Sequence, residues 1–172
     1  MLSSRVGDTG PQLVAGSNGG SAQCRVCHSV SADGSRLIAQ HGDATYASSA
    51  YDLSPSGVTE TQMAIGAEYP GIYPDGSIAL APNASVLPLP AAAAPLAATG
   101  LTSVATNVGT PMFSPDGKRV VFNPMAGPGV TNPTQKLVTM AFDLATLTFS
   151  SPVETADYSG QLVDLLRASD HT

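Results

Sequence analysis

The chain holds two cysteines, three positions apart, and a histidine follows the second: Cys24-Arg25-Val26-Cys27-His28. Two thiols at this spacing reach the two vinyl groups along one edge of a porphyrin, and the adjacent imidazole comes to lie under the iron. This is the attachment pattern of c-type haem. Read this way, Cys24 and Cys27 form the thioethers and His28 is the axial ligand of the iron. The second axial position has several candidates, namely Met63, Met112, Met125, Met140, His41 and His171. Three other chemistries use the same residues. The cysteines form a small disulfide in an oxidising compartment. Alternatively they act as a dithiol redox pair, although the helix N-terminus that lowers a thiol pKa in such sites is not expected here. Or they bind zinc with His28 and one further ligand, although the second ligand pair usual in structural zinc sites is missing.

Other chemical patterns are weaker. Asp8-Thr9-Gly10 matches the triplet of aspartic proteases, but those enzymes oppose two such aspartates and there is no second triplet. His41 and Asp43 read as a solvated turn after a strand rather than an acid–base pair. Asn83-Ala84-Ser85 is a glycosylation sequon by pattern alone. No serine lies in a Gly-x-Ser-x-Gly elbow, and neither a dinucleotide fingerprint nor a phosphate loop is present.

The elements that hold the Cys-His run follow from composition and repetition. The 172 residues suit one domain, with an ordinary apolar share of 42%. Charged residues make up only 12%, about half of the roughly 25% usual in soluble domains. Seventeen glycines and 14 prolines break helices and favour short strands joined by turns. The net charge of −6, without a basic cluster, argues against nucleic-acid binding. No apolar run is long enough to span a membrane. The first seven residues hold no long apolar core, so no ordinary signal peptide is expected there. The low charge and the abundance of Gly, Ala, Ser and Thr nevertheless suit an exported protein.

One phrase recurs three times: Val30-Ser31-Ala32-Asp33-Gly34-Ser35, Ile72-Tyr73-Pro74-Asp75-Gly76-Ser77 and Phe113-Ser114-Pro115-Asp116-Gly117-Lys118. Its aspartates are 42 and 41 residues apart. Pro presets φ, Asp bonds back to the backbone and Gly accepts φ > 0, so each copy predicts a tight hairpin turn. An apolar strand follows each one: Leu37-Ile38-Ala39, Ile78-Ala79-Leu80 and Val120-Val121-Phe122. The turn aspartates are expected to bond backbone amides; the alternative, a calcium site, lacks the dense carboxylate loop. Tyr51-Asp52-Leu53 and Phe142-Asp143-Leu144 echo each other, and each predicts a third strand, a turn and an outer fourth strand. Four short strands every 40–45 residues or so make the blade of a β-propeller. Leu87–Ala98, rich in Ala and Pro, reads as an extended insertion within the second blade.

Phe113-Ser114-Pro115-Asp116-Gly117-Lys118-Arg119-Val120-Val121-Phe122 resembles the blade signature of TolB-like, WD-repeat-like propellers, with looser copies at Ile72 and Val30. The resemblance runs over about residues 28–152, and it implies a periplasmic or extracellular protein that binds a partner at the propeller face or channel. The five residues Cys24–His28 resemble the attachment site of cytochromes c. A Cys-His run directly before a propeller strand is also similar to what some exported bacterial propeller proteins carry.

The expected fold is therefore all-β, a partial propeller of about three four-stranded blades belonging to a larger ring. Residues 1–23 are expected to be a flexible segment or a remnant of a preceding blade, residues 24–160 the blades, and residues 161–172 a tail with Leu162, Leu165 and Leu166 on one helical face. The expected function is a binding or scaffold module rather than an enzyme, with haem c as its cofactor. Its partner is an unidentified protein or small molecule. Two alternatives are an electron-transfer protein and part of a propeller hydrolase.

Overall fold

The structure, a computed structural model, describes residues 2–3, 9, 12–13, 25–41, 48–54, 57–63, 66–90, 94–128 and 136–157. Cys24, Asp43, His171, most of residues 1–23 and the whole 161–172 tail lie outside these. All the regular structure described is β, apart from one 3-10 turn at Leu101–Ser103. A two-stranded ribbon pairs β1 (Leu2–Ser3) with β2 (Gln12–Leu13). Blade 1 contains β3 (Arg25–Val30), β4 (Arg36–His41), β5 (Ser48–Ser54) and β6 (Gly57–Gln62). Blade 2 contains β7 (Gly71–Ile72), β8 (Ile78–Leu80) and β9 (Val86–Pro88). Blade 3 contains β10 (Asn107–Phe113), β11 (Arg119–Ala126), β12 (Lys136–Asp143) and β13 (Thr148–Asp157). Each sheet is antiparallel and its strands follow sequence order.

The three repeated phrases form the same turn between the first and second strands. The amide of Gly34, Gly76 or Gly117 donates to the carbonyl three residues back, on Ser31, Tyr73 or Ser114. The glycine φ values are +72°, +73° and +69°, the left-handed region that a side chain disfavours. Each aspartate accepts the amide two residues on, from Ser35, Ser77 and Lys118, at 2.9–3.0 Å. In the first and third copies a serine hydroxyl also donates to the carboxylate, Ser31 to Asp33 and Ser114 to Asp116, both at 2.6 Å. Tyr73 stands at the corresponding place in the second copy.

Strand alternation places successive side chains on opposite faces, and those faces join the blades. Leu80 and Ile78 of blade 2 meet Val120, Phe122, Val138, Met140, Phe142 and Phe149 of blade 3 in one core. Ile38, Ala50 and Met63 of blade 1 meet Ile72, Ala79, Ala81 and Leu87 of blade 2 in another. Each blade thus has a front, facing the next blade, and a back, facing the preceding one. The first strands of neighbouring sheets meet, β3 with β7 and β7 with β10. A Cβ added at Gly71 would lie 2.5 Å from the Pro111 carbonyl oxygen, so that approach requires glycine. The sheets fan outward from these inner strands as a three-bladed arc of a β-propeller.

Two details differ from the sequence expectation. Leu87 and Pro88 are not insertion but the third strand of blade 2; Leu87 is buried against blade 1, and apolar burial overrides the Pro-rich setting. Leu96 then bridges Val86, which supplies the outer position of that blade. The echo of Tyr51-Asp52-Leu53 in Phe142-Asp143-Leu144 is two residues out of register. Both runs do lie at a third strand leading to an outer fourth. However, Leu53 donates to Ser35 and Phe142 to Lys118, so Phe142 is the counterpart of Leu53. A two-residue slip keeps every side chain on its face, so the apolar pattern does not register it.

Candidate functional site

Cys27 and His28 lie in β3, the innermost strand of blade 1. The pairing of β3 with β4 runs Val26↔Gln40 and then Ser29↔Ile38, so the strand carries one extra residue there, a β-bulge. Cys27 has φ +51°, in the left-handed region. β10 has the same bulge, with pairs Gly109↔Asn123 and Met112↔Val121 and Thr110 at φ +40°. In blade 2, Tyr69 has φ +44° just before β7. Each of these three residues stands six positions before the turn aspartate of its blade. Cys27 therefore occupies a recurring inner-strand kink, a device that re-aims a side chain.

The next position also repeats. It is Pro70 in blade 2 and Pro111 in blade 3, and both prolines are buried. In blade 1 it is His28, which is exposed. The imidazole therefore stands at the solvent-facing counterpart of a packed proline.

Tyr69 and Cys27 meet across the gap between blades 1 and 2. The tyrosine phenol is held above its ordinary value, first by hydrogen bonding with the Cys27 side chain and then by its electrostatic interaction with Cys27, by burial and by Glu68. Half of Tyr69 remains open to solvent. Cys27 is half-buried, and His28 and Tyr69 are exposed. The sequence reading missed Tyr69. The signal was the pairs Cys27-His28, Tyr69-Pro70 and Thr110-Pro111, all at one offset from the Asp-Gly turns.

A covalently attached haem requires donors reachable from outside the fold. Cys27 is half-buried and His28 is exposed, so the two donors described meet that requirement; Cys24 lies outside the described residues. Of the axial candidates, Met63 and Met140 are buried in the two inter-blade cores. Met112 and Met125 are exposed on blade 3. The His41 side chain and all of His171 lie outside the described residues. Among the described residues, no three His, Cys, Asp or Glu side chains converge as a metal cluster.

Other sequence candidates have structural roles. Asn83 caps the β8–β9 hairpin by accepting the Ser85 amide at 3.2 Å. Asp8, Gly10 and Asp43 lie outside the described residues. No helix among the described residues is long and apolar enough to cross a membrane.

No protein-family model matches the chain, and no curated protein does either. Several solved structures are similar. One is the hydrazine synthase of Kuenenia stuttgartiensis, at 21% identity, with 75% of this chain and 35% of that one covered and a TM-score of 0.47. A second is a putative 6-phosphogluconolactonase from Bacteroides fragilis, at 14% identity, with 76% and 39% covered and a TM-score of 0.45. A third is the β-propeller domain of the Trilobed protease from Pyrococcus furiosus, at 12% identity, with 78% and 43% covered and a TM-score of 0.45. The chain spans less than half the length of each of these structures.

Proposed function

We propose that this chain is an exported binding module of the TolB-like propeller type whose first blade carries haem c on Cys24 and Cys27, with His28 as the axial ligand. The observation that carries the reading is the placement of Cys27 and His28. They lie on the innermost strand at a kink, with Cys27 half-buried and His28 exposed where the other blades bury a proline. When bound, the haem would supply redox chemistry or an open coordination position at the axis. The chain's own part is to anchor the porphyrin edge and to present Tyr69 beside it. Export follows from the chemistry, because covalent attachment takes place where haem-maturation machinery operates, in the periplasm or outside the cell.

The test is absorbance. Expressed behind an export signal together with haem-maturation machinery, the protein should show a Soret band that remains with the polypeptide after denaturation. Cys24→Ala should leave single attachment through Cys27, read as a shifted haem spectrum in pyridine. A colourless product would remove the haem and leave the binding module alone. An electron-transfer role is the second reading. The exposure of His28 supports it, since a haem held there would have an edge open to a redox partner.

A further inference from the structure

The connection from blade 2 to blade 3 does more than join them. Leu96 pairs with Val86 in an antiparallel bridge, its amide donating to the Val86 carbonyl at 2.8 Å. Three residues on, Thr99 pairs with Thr148, the first residue of β13, in a parallel bridge. The Thr99 amide donates to the Leu147 carbonyl at 3.0 Å and the Phe149 amide donates to the Thr99 carbonyl at 2.9 Å. The two threonine hydroxyls lie 3.2 Å apart. Because β13 is the outermost strand of its sheet, Thr99 satisfies a carbonyl and an amide at a strand edge. Gly100 follows at φ +89°, and a Cβ there would strike the Phe149 carbonyl oxygen, so the chain passes this edge at a range that requires glycine. The later part of the edge is blunted by other means. Ser151 has φ +51° beside a register shift, Pro152 has no amide to donate, and Glu154 carries a charge, paired with Lys136 at 3.0 Å.

We infer that residues 96–100 are a detachable strap that guards the outer edge of blade 3 against strand pairing by a second copy of the chain. An open strand edge is a template for another chain. Thr148 and Phe149 carry neither a proline nor a charge, and they are the stretch that the strap covers. The grip is shallow. Ala97 and Thr99 are exposed, while Leu96 and Ala98 touch the core half-buried. Segments with few buried contacts open at a lower free energy than the sheets beside them. Both ends are anchored, by the Val86 bridge and by Leu101, which is 2% exposed, so detachment is confined to the residues between. Detached, the strap leaves the Leu147 carbonyl and the Phe149 amide free to pair with another strand.

Native-state hydrogen exchange and light scattering test the two halves of the inference. The Thr99 and Phe149 amides should exchange together, at least about tenfold faster than the amides of β11. Thr99→Pro, which removes the donor to Leu147, should strip the protection from Phe149. Its mass should then rise above 17.4 kDa at concentrations where the wild-type mass does not. Adding Thr148→Lys, a charge on the freed edge, should return the variant to the wild-type mass. Gly100→Ala displaces the strap by a different route and should reproduce both effects, and it takes the place of Thr99→Pro if circular dichroism shows that the proline unfolds the chain. Phe149 protection equal to that of β11 overturns the inference, because the strap then opens only with its blade. So does a displaced strap without association, or an association that Thr148→Lys leaves unchanged.

Discussion

The carboxylates of the turns carry a pH dependence that can be worked out residue by residue. Asp33 is held below its ordinary value chiefly by the Ser31 hydroxyl, and Asp116 chiefly by the Ser114 hydroxyl and then by the Lys118 amide. A carboxylate whose folded pKa is depressed stabilises the fold above its unfolded value, near 3.8, and that contribution is lost as pH falls through the folded value. The chain should therefore lose stability as pH drops below about 4. Ser114→Ala should raise the Asp116 pKa toward the ordinary value, read by NMR titration of its carboxyl carbon. If the carboxyl does not move, the hydroxyl is not its main support. The methionines make a second test. Met140 is buried in the core between blades 2 and 3, so Met140→Leu should cost less than about 1.5 kcal/mol and leave the spectrum of any attached haem unchanged. A spectral change would place Met140 on the iron. At this scale the Cys-x-x-Cys-His run was legible because its chemistry lies in residue types and spacing. Tyr69 was not, because its meeting with Cys27 is a contact between blades.

The turns that read most plainly as local structure also act as contacts between elements. Gly34 and Gly117 share one backbone conformation, but their surroundings differ. A Cβ at Gly34 would meet nothing within 4 Å, whereas one at Gly117 would strike the Tyr73 hydroxyl. Gly34→Ala should therefore cost about 1–2 kcal/mol for the left-handed backbone alone. Gly117→Ala should cost more, by about 1–3 kcal/mol for overpacking against the neighbouring blade. Denaturant midpoints of the two variants measure the difference, and equal losses would mean that the turn does not seat on Tyr73. Hairpins, their order and their spacing were legible because Asp-Gly chemistry is local. The register of the third strands was not, because a slip of two preserves the alternation that a sequence displays. The bulges were also missed, since the position six residues before each turn aspartate holds Cys27, Tyr69 and Thr110, with no common residue type to mark it.

Across the whole molecule, the two inter-blade cores are unequal. Between blades 2 and 3, Phe113, Phe122, Phe142 and Phe149 pack with Tyr73 at the edge, the Phe142 and Phe149 ring centroids 4.7 Å apart. Between blades 1 and 2 the core is mostly small, with Ala50, Ala67, Ala79 and Ala81 around Ile38 and Met63. Aromatic rings bury far more area than methyl groups, so the first interface should hold longer. Phe122→Ala should cost about 3–5 kcal/mol. In native-state hydrogen exchange, amides of β11 and β12 should outlast those of β4 and β5. Uniform protection across all three blades would show that they open as one unit. The fold class was legible at this scale because repetition is a global signal. The weighting of the cores was not, because it depends on which side chains each face brings together.

The left-handed position shared by Cys27, Tyr69 and Thr110 separates shape from identity. The backbone φ there is similar in every repeat, while the three side chains, a thiol, a phenol and an aliphatic hydroxyl, differ in size and reactivity. Such a site is an evolutionary socket: new reactivity can be installed one residue at a time, with the architecture around it left unaltered.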